Sequence, residues 1–270
     1  TLSMLLHVRA MSGSFAVAGT TVGVYLAAAA LAAPAVGRWV DRRGAGVPLA
    51  VTGVVYPLAV GVLLFAPILG LPTPGVYIVA AFVGVFSPPI PGLSRTILRQ
   101  RFNDEMQRRS AFALDSVLVE TVFTVGPLLV AAMLLTGSQH APLAMSWLFT
   151  ILAVPMFVLS RALDYLGAPS DAPRSLLGPI ADPLLRRIFA LTVVIAFGVG
   201  CIEVAYPGFG AAIRVVAIGG LLLASNSIGS ALGGFAYGGL HLTTPSERLL
   251  PRVLAIMVIP LALHTLTLNP

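Results

Sequence analysis

The sequence contains no lysine, and all sixteen of its basic side chains are arginines. Charge of either sign is scarce, at 10% of residues, where a soluble domain carries about a quarter. A chain of 270 residues this poor in charge cannot cover its own surface in water. Cysteine is nearly absent. Cys201 is the only one, so an internal disulfide and a cysteine-rich metal site are excluded, and its apolar surroundings read as inert packing. The four histidines, His7, His140, His241 and His264, stand far apart with no metal-ligand spacing. The chain has no Gly-x-Ser-x-Gly, no His-Glu constellation and no catalytic carboxylate pair outside the polar breaks. It also lacks a P-loop and a Gly-x-Gly-x-x-Gly turn in a βαβ setting, which argues against an enzyme, a cofactor and ATP-driven pumping. The net charge of +6 and pI near 10.2 come without an aromatic-interleaved basic patch, so no nucleic-acid partner is expected.

What the chain has instead is long apolar runs. Hydrophobic residues make up 57% of it and the mean hydropathy is +0.96. A bilayer core needs about 20 apolar residues per helix. That ruler predicts an all-α polytopic membrane protein with eight full spans: Val17–Val36, Val47–Leu69, Gly75–Leu93, Ala111–Thr136, Pro142–Leu163, Ile188–Tyr206, Ala212–Leu240 and Leu249–Leu268. The opening stretch Thr1–Val8 is too short to span and is expected to be the tail of a first helix, which makes these spans two to nine.

The arginines fall in alternate breaks. Arg38, Arg42 and Arg43 follow span two; Arg95, Arg99, Arg101, Arg108 and Arg109 follow span four. Arg161, Arg174, Arg186 and Arg187 lie between spans six and seven, and Arg248 and Arg252 follow span eight. Only Arg9 and Arg214 fall on the other side, so the arginine-rich side is expected to be cytoplasmic, with His140 outside. The longest polar stretch, Asp164–Asp182, reads as a linker between two bundles. The expected organisation is an N-terminal bundle over 1–165, a cytoplasmic linker over 166–183 and the start of a C-terminal bundle over 184–270. Six helices before the linker suggest a six-plus-six design, of which this chain is a fragment lacking the last three helices.

One segment carries a family resemblance. Gly37-Arg38-Trp39-Val40-Asp41-Arg42-Arg43-Gly44, after span two, resembles the signature loop of the major facilitator superfamily, Gly-x-x-x-Asp-Arg-x-Gly-Arg-Arg, at the place that family puts it. The basic pair after the second glycine is replaced here by Ala45 and Gly46. The stretch Gly234-Phe235-Ala236-Tyr237-Gly238-Gly239, between spans eight and nine, keeps the glycine spacing of a second copy without its acid. Gly126-Pro127 in span five is similar to the core of the antiporter motif of bacterial drug-efflux-like members, with Val130 and Ala131 where those have two glycines. The resemblance implies inverted repeats and secondary active transport across the plasma or inner membrane. It further implies proton-coupled export of small apolar or amphipathic molecules, with lipid, protons and the small-molecule substrate as partners. The alternatives are a non-transporting sensor or scaffold with the same fold, or an importer of small metabolites. On this reading Gly37, Asp41, Arg42 and Gly44 serve gating, Gly37 by close helix packing and Gly44 by a tight turn.

Polar residues inside the spans supply the remaining candidates. A charge at mid-bilayer costs about 2.5–3.5 kcal/mol on insertion scales and is expected to face a cavity or a partner. Glu120 lies about nine residues inside span five, roughly 14 Å of rise, with Ser116 and Thr124 on its face. It is either a proton- or cation-binding carboxylate or a buried glutamate held for packing. Asp115 points elsewhere and is expected to pair with Arg95, Arg108 or Arg109, or with the helix N-terminus. Arg95 is a coupling residue or a snorkelling arginine, Glu203 an outer-gate or ligand contact or a carboxylate reaching water, and Asn226 a substrate contact or a helix bridge. Gly229 and Gly233 form a Gly-x-x-x-Gly pair expected to mark close helix packing. Ser87-Pro88-Pro89-Ile90-Pro91 must break the regular hydrogen bonding of span four, and Pro127 that of span five.

Overall fold

The computed structural model describes residues 1–134, 137–167, 181–213, 216–239 and 256. Among them every long element is an α-helix and there is no strand. The helices are α1 (Leu2–Ser12), α2 (Phe15–Arg43), α3 (Gly46–Leu64), α4 (Thr73–Val85), α5 (Ile90–Arg101), α6 (Glu105–Leu134), α7 (Ala141–Leu159), α8 (Pro183–Ala212) and α9 (Val216–Gly239), with a 3₁₀ turn at Ala162–Tyr165. Six stretches are long and apolar enough to cross a bilayer: Phe15–Arg43, Gly46–Leu64, Thr73–Arg101, Glu105–Leu134, Ala141–Leu159 and Pro183–Ile202. The described residues thus hold six such spans where the sequence predicts eight. Within α9 only the shorter run Leu221–Gly233 qualifies as apolar, and Leu249–Leu268 lies outside the described residues.

The helix boundaries follow local chemistry. Gly13 adopts φ 68°, a left-handed conformation open to glycine, and its N–H closes α1 on the carbonyl of Arg9 at 2.8 Å. Ser14 then caps α2, its Oγ accepting the N–H of Val17 at 3.3 Å. Asp104 does the same for α6, its carboxylate accepting the N–H of Gln107 at 2.9 Å, and Asp182 for α8, accepting the N–H of Leu184 at 2.7 Å. Pro88 and Pro89 sit in the gap between α4 and α5, while Pro91 falls in the first turn of α5, where a missing N–H leaves nothing unpaired. The fourth span is therefore two helices in series.

Helices packing in an apolar solvent gain little from excluding water, so close fit between small residues carries the contact. The closest approach pairs α2 with α4. A Cβ built on Gly84 would overlap the carbonyl oxygen of Tyr25 and stand 2.9 Å from the Cβ of Ala28 and the nitrogen of Ala29. On α3, Gly53 leaves room for Val154 and Gly61 for Trp147 of α7. The indole N–H of Trp147 donates to the carbonyl of Pro57 at 2.8 Å. Thr21 and Thr52 satisfy their hydroxyls on their own helices, donating to the carbonyls of Val17 at 2.8 Å and Pro48 at 2.7 Å. Outward faces stay apolar, with Leu31, Ile68 and Leu159 each about 80% exposed, as a lipid-facing surface requires.

Two clusters of buried side chains mark the two ends of the first seven helices. One gathers Met4, Val8, Ala18, Val60, Leu63, Val76, Val83 and Leu143. The other gathers Ala45, Leu49, Leu93 and Val154, with Val40, Ile90, Phe157 and Leu163 against it. The second cluster draws together the end of α2, the start of α3, the first turn of α5 and the end of α7, and the end of α5 lies against the turn after α7, where Arg101 stacks on Tyr165, so Arg42, Arg43, Arg99, Arg101 and Arg161 collect at one end of the bundle.

Candidate functional site

Glu120 is residue sixteen of the thirty in α6, with nearly equal lengths of helix on either side. Its half-buried carboxylate accepts a hydrogen bond from the Oγ of Ser230 on α9, Oε1 to Oγ 2.7 Å. That is the short range of hydroxyl-to-carboxylate bonds. α9 packs along α6 on one side and along α8 on the other. The bond therefore ties the helix that follows α5 to a helix more than a hundred residues later.

The hydroxyls that share Glu120's face are otherwise occupied. Ser116 Oγ donates to the carbonyl of Phe112 at 3.0 Å, and Thr124 Oγ1 to the carbonyl of Glu120 itself at 2.9 Å. They do not extend the polar stripe into a neighbouring helix. Two turns beyond Glu120, Pro127 lacks an N–H and leaves the carbonyl of Phe123 without its usual donor, loosening the helix next to the carboxylate.

Asn226 is one turn before Ser230 on α9 and its side chain is exposed. Gly229 and Gly233 flank the same stretch, but a Cβ at either would meet nothing within 4 Å. Among the described residues the Gly-x-x-x-Gly pair therefore makes no close helix contact. Spacing alone proposes such a contact, but the neighbouring helix must also lie over that face, and here it lies over Ser230. The close packing expected at Gly37 is likewise not met among the described residues, and a Cβ added at Gly126 also meets nothing within 4 Å. Glu203 falls in α8, with its side chain outside the described residues. The second glycine copy, Gly234–Gly239, closes α9 with its side chains likewise outside them.

Arg95, in the middle of α5, meets Asp115 on α6, Nε to Oδ2 3.3 Å, with the arginine 63% exposed. A pair this open to its surroundings contributes about 0–1 kcal/mol. Beside it a cleft of about 880 Å³ runs between α5, α6 and the end of α7, lined by Leu98, Phe102, Leu114, Asp115, Leu118 and Phe157. Its lining stops at Leu118, less than one turn from Glu120.

The signature segment is more helical than its reading as a loop suggests. Nothing in Gly37–Arg43 stops a helix, so α2 runs to Arg43 and the break is only Gly44 and Ala45. Gly44 takes φ 75°, the conformation for which glycine is suited. Asp41, Arg42 and Arg43 are exposed in the last turn of α2. Polar contacts build the turn after α7: Arg161, itself at φ 57°, binds Asp164 at 2.9 Å, and Gln100 accepts the N–H of Gly167 at 3.0 Å.

One polar grouping escaped the sequence entirely. His7 and His140, 133 positions apart, meet through their Nδ1 atoms at 2.9 Å, and Ser146 Oγ donates to Ser3 Oγ beside them at 3.1 Å. No spacing rule links residues on helices separated by five others.

Compared with protein families, curated proteins and solved structures, the chain matches none of them.

Proposed function

We propose that this chain serves secondary active transport of the major facilitator type, as a proton-coupled exporter of small apolar or amphipathic molecules. Its design is six plus six helices, with eight full spans in this chain and the arginine-rich end in the cytoplasm. Glu120 is the proton-carrying group. The reading rests on one observation: a carboxylate midway along a bilayer-length helix, hydrogen-bonded at 2.7 Å to a hydroxyl on a helix from the later part of the chain. An ionisable group there is costly unless it has a partner or water. A bond between α6 and α9 also gives the proton a way to act on packing. Protonated, the carboxyl gains a donor and loses its charge, so its hold on Ser230 weakens. That couples proton uptake to the relative position of two helices, as alternating access requires. Asp41 and Arg42 at the end of α2 and the signature spacing Gly37–Gly44 support the same reading.

The test is Glu120→Gln. Glutamine keeps the shape and an acceptor for Ser230 but cannot titrate. Flux driven by a pH gradient in proteoliposomes is expected to disappear while membrane insertion and gradient-free substrate exchange persist. Unchanged gradient-driven flux with an unchanged pH profile would make Glu120 structural.

A further inference from the structure

His7 in α1 is 1% exposed, while His140, the residue before α7, is exposed. Their rings meet edge to face, centroids 4.7 Å apart at 71°, with the two Nδ1 atoms 2.9 Å apart. The far nitrogen of His7, Nε2, is 3.1 Å from the carbonyl oxygen of Leu63. A carbonyl only accepts, so Nε2 carries a proton and donates it. The neutral ring of His7 then presents a lone pair at Nδ1, and His140 donates its Nδ1 proton to it. Metal-ligating histidines are oriented in this way, one ring nitrogen donating to a carbonyl and the other aiming its lone pair at the ion. The proton between the rings stands where an ion would.

We propose that His7 and His140 form a two-histidine site for a late first-row divalent cation of the Zn²⁺, Ni²⁺ or Cu²⁺ type. The ion takes the lone pairs of both Nδ1 atoms. His140 stays neutral by carrying its proton on the exposed Nε2 instead, and water completes the coordination from the open side of that ring. Bonds of about 2.0–2.1 Å at a tetrahedral angle hold two nitrogens roughly 3.3 Å apart. The present 2.9 Å separation must widen by about 0.4 Å, a movement open to an exposed ring at a helix end. The described residues offer no cluster of three His, Cys, Asp or Glu side chains, so among them two ligands are available and the affinity expected of this pair is modest. Two neutral imidazoles also give hard cations such as Mg²⁺ nothing to prefer. The ion would clamp α1 to α7 beside the end of α3, a helix length away from Gly46 and the arginine-rich end. The site is independent of Glu120 and of any transport reading.

The experiment is thermal unfolding of the purified full chain in detergent at neutral pH, titrated with Zn²⁺ alone, with Mg²⁺ as control and EDTA to reverse. Zn²⁺ is expected to raise the midpoint saturably, and Mg²⁺ is not. His140→Ala is expected to weaken the apparent affinity about tenfold or more. His140→Asn, which places a residue favoured at helix N-caps in the same position, serves if the alanine variant fails to fold and is expected to weaken it as much. A Zn²⁺ shift that persists in the variants, that Mg²⁺ reproduces, or that is absent from the parent protein at millimolar metal overturns the site.

Discussion

Ser230 and Glu120 stand 110 positions apart in the chain and 2.7 Å apart in space, and the serine makes a finer probe of the carboxylate than the carboxylate does itself. Ser230→Ala removes the donor without touching the acid. If the bond tunes proton uptake, the pH dependence of flux is expected to move while the maximal rate changes little. Ser225 is the natural control, since its hydroxyl already donates to the carbonyl of Leu222 on its own helix at 2.8 Å. Ser225→Ala is expected to leave the pH profile in place. Equal profiles for Ser230→Ala and the parent protein would detach the serine from coupling. Measurement of initial flux across a series of pH gradients separates these outcomes.

At the scale of elements, the tightest joint is between α2 and α4 rather than at the Gly-x-x-x-Gly pair of α9. Any side chain at Gly84 meets the backbone of α2, which cannot turn aside as a flexible side chain can. Gly84→Val is expected to force the two helices apart and destabilise the protein by about 1–3 kcal/mol, the usual range for overpacking. Gly229→Ala meets nothing within 4 Å and is expected to leave the unfolding midpoint where it is or raise it. Melting curves in detergent for the two variants read the contrast. A large loss at Gly229 with none at Gly84 would reverse the assignment of the close contact.

For the whole molecule the question is which end faces which compartment. α2, α5 and α7 deliver Arg42, Arg43, Arg99, Arg101 and Arg161 to one end, where Ala45, Leu49, Leu93 and Val154 pack together. The positive-inside rule predicts a cytoplasmic face for that end. Single cysteines at Arg43 and at Ser138, both exposed and introduced after replacing Cys201, are expected to differ in intact cells. An impermeant thiol reagent is expected to label position 138 and spare position 43. Labelling at position 43 with none at position 138 would invert the orientation and move the His7–His140 pair to the cytoplasmic side.

Much of this was legible in the sequence because the governing forces are local. Lipid demands that each span satisfy its own backbone, so a run such as Gly46–Leu64 or Ala141–Leu159 declares itself by length and apolarity. Gly13, Ser14 and Gly44 act through their own conformations or near neighbours, and the prolines at 88, 89 and 91 through the hydrogen bonds they cannot make. Glu120 stood out because an acid in an apolar run is costly wherever its partner lies. Its partner did not stand out, because Ser230 is one of several hydroxyls on α9 and only the docking of α9 on α6 selects it. The same holds for the glycines. Gly84 and Gly229 are alike as letters, and the neighbouring helix alone decides which of them a Cβ would disrupt. His7 and His140 are the extreme case. Neither has a polar pattern around it, and their 2.9 Å contact exists because the middle of α1 and the start of α7 lie side by side beside Leu63. Sequence determined what each helix is, and tertiary structure decided which of their few polar atoms meet. Period and hydropathy are properties of one helix, whereas contact depends on the rotation and height of two.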